Sequence, residues 1–222
     1  MTTTHSDEGH DNVMTSTSVT LSEAQQNEIR QAVAQAESNT SGEIVPLIVP
    51  CAGDYEHVEI RFGAFLSMAL TLLTLWWAPM IPLWGIAGVM AASYLLGRLV
   101  VRITPGLKHF LVGKATMNDT VSEKAFSLFI QQGLHYTRDA TGILILVCLF
   151  EKRVEILADR GINEKVDHQQ WQQAVDTIVD GLHQGTMVKS LCQAIESCGT
   201  LLAEHCPQRE DDENELPDLI VH

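Results

Sequence analysis

Three carboxylates stand where a small sheet could gather them. Glu43 opens the apolar stretch EIVPLIV (43–49), Asp139 precedes GILILVCLF (142–150), and Asp159 follows RVEILA (153–158). If the first two stretches are parallel strands and the third runs back against them, all three acids fall at one sheet edge. Clustered carboxylates raise one another's pKa unless a cation or an arginine neutralises them. Ca²⁺ or Mg²⁺ suits such an all-oxygen set, with Gly42 and Gly161 allowing tight turns beside it. The same acids read equally as solvated loop residues, or as partners of Arg138 and Arg160.

Other chemistry is not spelled out. The chain has no Gly-x-Ser-x-Gly elbow and no His-Glu-x-x-His pair. Val112-Gly113-Lys114-Ala115-Thr116 lacks the upstream glycine of a phosphate loop and a Ser or Thr directly after the lysine. The histidines are scattered, and His168 and His183 are expected on the solvent side of one helix. Cys51, Cys148, Cys192, Cys198 and Cys206 are odd in number and form no regular framework, which suits a reducing compartment. Cys192 and Cys198, with His205 and Cys206, match no zinc spacing, and helix cysteines commonly pack as small apolar residues.

What positions these residues is organised around one block. From Phe62 to Gly97 no side chain is charged, and arginines stand on either side at Arg61 and Arg98. The block is too long for one bilayer span and about right for two short ones. Pro79 and Pro82 mark the break, giving expected spans from Phe62 to Ala78 and from Leu83 to about Val101. Trp76, Trp77 and Trp84 cluster at the turn as an interfacial belt would, and Gly88 and Ala92 offer a small surface for helix contact. No ionisable group falls within the spans, so the hairpin reads as an anchor in the lipid bilayer through residues 62–101 and not as a transport path.

The rest reads as helix, strand, hairpin, helix, strand, strand, helix, helix. Thr20-Leu21-Ser22-Glu23 and Thr120-Val121-Ser122-Glu123 have capping-box form. The first opens a helix from Leu21 to Glu37; the second opens one that buries Ala125, Phe126, Phe129, Ile130 and Leu134. Pro46 inside the first strand implies an edge position or a bulge. Glu151-Lys152 reads as a tight turn between the second and third strands. Asp167 caps a helix that ends at Gly185, and a last helix runs from about Met187 to Glu204. The fold class is therefore α/β, a small mixed sheet sandwiched by helices, with a two-helix transmembrane hairpin inserted after the first strand. In this division residues 1–19 are a disordered polar tail, 20–60 and 104–206 the two parts of the α/β domain, 61–103 the hairpin, and 207–222 an acidic tail whose Leu216–Ile220 stretch could dock.

Charge limits the partners. The chain's formal net charge is −14, but between Arg61 and Lys114 there are five basic residues and no Asp or Glu. The remainder holds nine basic and 28 acidic residues, a net of −19, which argues against nucleic acid as a partner. All five basic residues of the block lie on the side shared by both termini. The positive-inside rule then puts the termini and the folded domain in the cytoplasm, as a multi-pass protein of a bacterial inner membrane. The first eighteen residues carry three acids, no Lys or Arg and no apolar run, unlike a signal peptide.

Ser41-Gly42-Glu43-Ile44-Val45, Ala140-Thr141-Gly142-Ile143-Leu144-Ile145, and Arg153-Val154-Glu155-Ile156 leading into Ala158-Asp159-Arg160-Gly161-Ile162 resemble the TPM-domain family. The resemblance spans about residues 20 to 206, interrupted by the hairpin, and points to a bacterial subgroup with a transmembrane pair inside the domain. For function it implies two classes. One is an accessory or interaction domain serving a membrane-associated protein partner. The other, implied by plant members associated with photosystem II repair, acid phosphatase activity and divalent cations, is a cation-dependent phosphatase. Many relatives face outward behind a signal peptide, from which this chain departs.

Overall fold

The computed structural model describes residues 21–137, 140–208 and 219–221. Helix α1 spans Glu23–Glu37 and leads into strand β1, Glu43–Val49. Two long helices follow, α2 over Glu56–Trp77 and α3 over Leu83–Ile103, then a short α4 over Pro105–Val112 and α5 over Lys114–Gln131. A 3₁₀ turn at Leu134–Tyr136 precedes β2, Gly142–Cys148, and β3, Arg153–Ala158. The chain closes with α6 (Arg160–Asn163), α7 (His168–Gln184), α8 (Met187–His205) and a two-residue strand β4 (Ile220–Val221).

The sheet order is β3-β2-β1-β4. β1 pairs in parallel with β2, Glu43 opposite Gly142 and Val49 opposite Cys148, and β3 runs antiparallel on the far side of β2. All seven side chains of β2 are buried, as a continuous apolar strand covered on both faces requires. Ile44, Ile48, Ile143, Ile145 and Val147 face α1, α7 and α8; Val45, Leu47, Leu144, Leu146 and Cys148 face α5. This is an α/β sandwich with helices flanking a small mixed sheet.

Pro46 lies inside this sheet without a bulge, because the missing N–H falls on the quieter side of β1. Glu43 N–H donates to Thr141 and the Val49 carbonyl accepts from Leu149, so odd-numbered residues of β1 face β2. Pro46 faces the other way, where β4 pairs only with Leu47 and Ile48. Ile220 and Val221 thus dock on the sheet as the expected C-terminal stretch implies; residues 209–218 lie outside the described residues.

Several local expectations are corrected. The cap of α1 is Ser22, whose box partner is Gln25 and not a glutamate three residues after Thr20. The expected box at Thr120 does not exist: Thr120 Oγ1 donates to the Thr116 carbonyl inside α5, which begins six residues earlier at Lys114, after Gly113 at φ 79°. Phe126 and Ile130 come out exposed, whereas Ala125 and Phe129 are buried as expected, joined in α5 by Met117, Val121 and Leu128, and Leu134 is buried in the 3₁₀ turn beyond it. The turn between β2 and β3 takes four residues, Leu149 to Lys152, because Leu149 and Phe150 keep donating to Val49 and Pro50. The boxed cap at Asp167 with Gln170 and the left-handed stop at Gly185 are as expected.

Helices α2 and α3 are long and apolar enough to cross a membrane, with only 22% and 17% of their most apolar windows buried. Helix α2 starts six residues before the charge-free block, so Glu56, Glu59 and Arg61 lie within its first two turns. The two helices meet along steps of four: Glu59, Gly63 and Ser67 on one, Ser93, Gly97 and Val101 on the other. A Cβ on Gly97 would stand 2.9 Å from the Gly63 Cα, so the backbones touch there. Ser67 Oγ donates across the seam to the Met90 carbonyl at 3.0 Å. The expected contact surface at Gly88 and Ala92 is corrected: both are exposed, and nothing lies within 4 Å of a Cβ built on Gly88.

Candidate functional site

The described carboxylates of the expected site stand on either side of β2. Glu43 is buried and opposite Gly142, while Asp159 N–H donates to the Gly142 carbonyl from the β3 side. Backbone topology therefore brings their positions to one sheet edge, about 10 Å apart across two strand spacings. Asp139 lies outside the described residues. Asp159 also has local work: its Oδ1 accepts from Arg160 N–H at 2.6 Å and caps α6. Of the two arginines expected to pair with these acids, Arg160 has its Nε 3.8 Å from Glu164, and Arg138 lies outside the described residues.

A cleft of about 490 Å³ opens at this edge, lined by Thr141, Arg160, Glu164, Lys165, His205 and Cys206 among others. Neither Glu43 nor Asp159 lines it. Among the described residues no three His, Cys, Asp or Glu side chains come together as a cation would need.

The opposite end of the sheet holds a polar cluster that sequence reasoning missed. Glu151 is 2% exposed, turned inward by the four-residue β2–β3 turn. Its Oε1 accepts from Ala52 N–H at 2.9 Å, from Tyr55 Oη at 2.8 Å and from Cys51 Sγ at 3.3 Å. Its Oε2 is buried with no hydrogen-bond partner. Burial first, then the Glu151 carboxylate, pushes the Cys51 thiol up to about 12. The same order of causes, burial and then Glu151, raises Tyr55 and Cys148. These groups stay protonated at neutral pH, so Cys51 and Cys148 are donors and packing groups, not thiolate nucleophiles.

The cluster ties the sheet to the base of the hairpin. Cys51 and Ala52 leave β1, Tyr55 starts α2, and Glu151 belongs to the β2–β3 turn. Tyr55 packs with Val58, Val112 and Met117 in a small core of its own, its ring 5.6 Å from that of Phe150. One turn into α2, buried Glu59 pairs with Lys108 of α4 at 3.0 Å. A glutamate beside Lys152 and Arg153 at a chain reversal looks solvated in sequence. Only the extra turn residues, which periodicity does not count, aim it inward.

The sequence matches no family model and no curated protein. Among solved structures, the chain resembles the NMR structure of the BA42 protein from the psychrophilic bacterium Bizionia argentinensis. The TM-score is 0.57 at 22% identity, over 94% of this chain and 99% of that one. At that identity the likeness speaks to fold alone.

Proposed function

We propose that the chain is an integral-membrane protein of the bacterial inner membrane, holding a TPM-like α/β domain against the cytoplasmic surface as an accessory module for a membrane-associated protein partner. The observation that carries this reading is the hairpin's outer surface. Phe65, Leu72, Trp76, Trp77, Leu83, Trp84 and Leu95 are all exposed, none of them by less than the 60% of Leu72. A surface so apolar costs roughly 25 cal/mol for each Å² left in water, and lipid removes that cost. Basic residues stand only at the base, and the tryptophans only at the turn, as anionic headgroups and the opposite interface favour. The Glu151 cluster supports the same reading, because it couples the anchor to the sheet instead of leaving it on a linker.

Two measurements test it. After alkaline carbonate washing, the protein is expected to stay with the membrane fraction. A cysteine placed at Met80 is expected to react with an impermeant maleimide from the outside of intact spheroplasts, and one placed at Gln208 only in inverted vesicles. Extraction by carbonate, or labelling of both positions from one side, would sink the topology.

A further inference from the structure

The sheet has two edges, and the fold treats them differently. On the outer side of β1 the donor positions are Ile44, Pro46 and Ile48. Ile44 N–H donates to Glu37 Oε1 at 2.7 Å, Pro46 has no N–H, and Ile48 lies in the stretch that β4 covers. That edge is blunted, as native sheets blunt edges that would otherwise pair with other chains. Among the described residues the β3 edge carries no such device. Asp159 N–H bonds the Gly142 carbonyl, so odd-numbered residues of β3 face β2. Val154, Ile156 and Ala158 therefore direct both N–H and C=O outward, and none of these groups is bonded among the described residues.

That open edge runs along a cleft. A space of about 480 Å³ lies between β3 and α7, with Trp171, Gln172 and Val175 on its wall. It adjoins a second space of about 450 Å³ that reaches across the Lys152–Glu155 end of β3 from Asn118 and Ser122 of α5 to Val175 and Asp176 of α7. Stepping by four along α5 from Asn118 and Ser122 reaches Phe126 and Ile130, which are 63% and 46% exposed. Apart from them and Tyr136, the large exposed apolar side chains among the described residues all lie between Ile60 and Phe110. Arg153 Nε and Trp171 Nε1, both at the cleft, are buried donors with no hydrogen-bond partner.

We propose that β3 is an acceptor strand: it takes up an extended segment of a partner protein as a further strand of the sheet. The segment would pair its main chain with Val154, Ile156 and Ala158, lay apolar side chains over Phe126 and Ile130, and bring a carboxylate to the Lys152–Arg153 end. Alternation of main-chain pairing with side-chain pockets is the physics of strand addition. A second copy does not fit, and this step rests on the membrane-anchored reading. A two-fold axis pairing two β3 edges runs them antiparallel, which puts the two hairpins at opposite ends of the joined sheet. Two copies anchored in one membrane cannot meet that way.

The full chain in nanodiscs is panned against a phage-displayed library of random octapeptides, with counter-selection on Ile156→Pro. Proline at 156 removes an outward N–H and no β2–β3 bond. Phe126→Lys, on an exposed helix face, keeps the test decisive if the proline variant folds poorly. The expected result is enriched peptides carrying an acid at one end of an apolar-alternating core. They should bind the wild type about tenfold more tightly than either variant and slow hydrogen exchange at Val154, Ile156 and Ala158. No enrichment, equal binding to wild type and Phe126→Lys, or a wild-type dimer cross-linked through β3 would each overturn the proposal. Carbonate extraction reads the anchor separately: a protein that resists extraction but binds no peptide loses this inference and keeps its membrane reading.

Discussion

Replacing Glu151 by alanine should loosen the joint between hairpin and sheet by an amount the geometry sets. The substitution leaves Ala52 N–H and Tyr55 O–H without the acceptor they now share at 2.9 and 2.8 Å. A buried donor left unpaired costs about 1–3 kcal/mol. Two of them would cost roughly 2–6 kcal/mol, and a water admitted to the vacated space would bring the loss toward about 2–4 kcal/mol. Glutamine at 151 is the informative contrast. It keeps an oxygen for the same donors and places its amide where Oε2 has no partner now, so its cost should be smaller by at least about 1 kcal/mol. Urea unfolding of the full chain in detergent micelles, followed by circular dichroism, reads the difference. Limited proteolysis adds a local readout, since cleavage between Cys51 and Glu56 should rise in the alanine variant well before global unfolding. Equal losses for alanine and glutamine, or an alanine variant within about 0.5 kcal/mol of wild type, would refute the view that this carboxylate organises the joint.

At the hairpin seam, Gly97→Leu should cost about 1–3 kcal/mol or separate the helices, because its Cβ would meet the Gly63 backbone at 2.9 Å, whereas Gly88→Leu should be neutral; thermal unfolding in nanodiscs compares them. Stability should fall steeply in alkali. Burial pushes the Cys198 thiol up to about 12 and Cys192 up to about 11, so above pH 9 the folded chain holds protons that the unfolded chain has lost. The stabilisation is complete below pH 9 and is lost as pH rises toward the folded values, at roughly 1.4 kcal/mol per pH unit for each thiol. In Cys198→Ala the slope between pH 9 and 11 should be shallower by one such step. Asp159→Ala removes the cap of α6 and should cost about 0.5–2 kcal/mol equally with and without Ca²⁺; a Ca²⁺-dependent rise in Tm seen in wild type and absent from the variant would assign Asp159 to a cation site instead.

Much of the architecture is legible in residue order, and the misses share a cause. GILILVCLF marks a strand covered on both faces, and the charge-free block with its paired prolines marks two helices, because both signals are long runs that local context cannot mask. Thr120-x-x-Glu123 misled because a capping box is a pattern of four residues, and a helix already under way from Lys114 satisfies its hydroxyl with a carbonyl one turn back. The earlier start also brings Met117 and Val121 onto the helix, and they set the buried face with Ala125, Leu128 and Phe129, leaving Phe126 and Ile130 to one side of it. Gly88 and Ala92 misled in a similar way: small residues at four-residue spacing occur on several faces of an apolar helix, and only the partner's Gly63 decides which face is used. At the site, strand direction alone brings Glu43 and Asp159 to one edge. Nothing in the sequence says that Glu151 points inward, because that depends on where Leu149 and Phe150 stop pairing with β1.

The position of the hairpin has a mechanical consequence. An anchor attached at a terminus would leave the domain free to turn on its linker. Here α2 begins at Glu56, only seven residues after β1 ends at Val49, and those few residues carry Cys51, Ala52 and Tyr55, all bonded to Glu151. The return path is longer, α3 passing through α4 and α5 before β2 begins at Gly142, with Lys108 of α4 paired to Glu59 of α2 at 3.0 Å. The outgoing connection is held by the buried Glu151 contacts, and the base of the hairpin by a part-buried ion pair; buried polar contacts lose far more when one partner is removed than exposed pairs do. The Glu151 contacts thus hold the base of the hairpin against the end of the sheet, whose β3 edge lies on the far side of β2 from β1. A partner strand added at that edge, as proposed above, would end beside Lys152 and Arg153, which directly follow Glu151, so Glu151→Ala should lower peptide binding by the chain in nanodiscs.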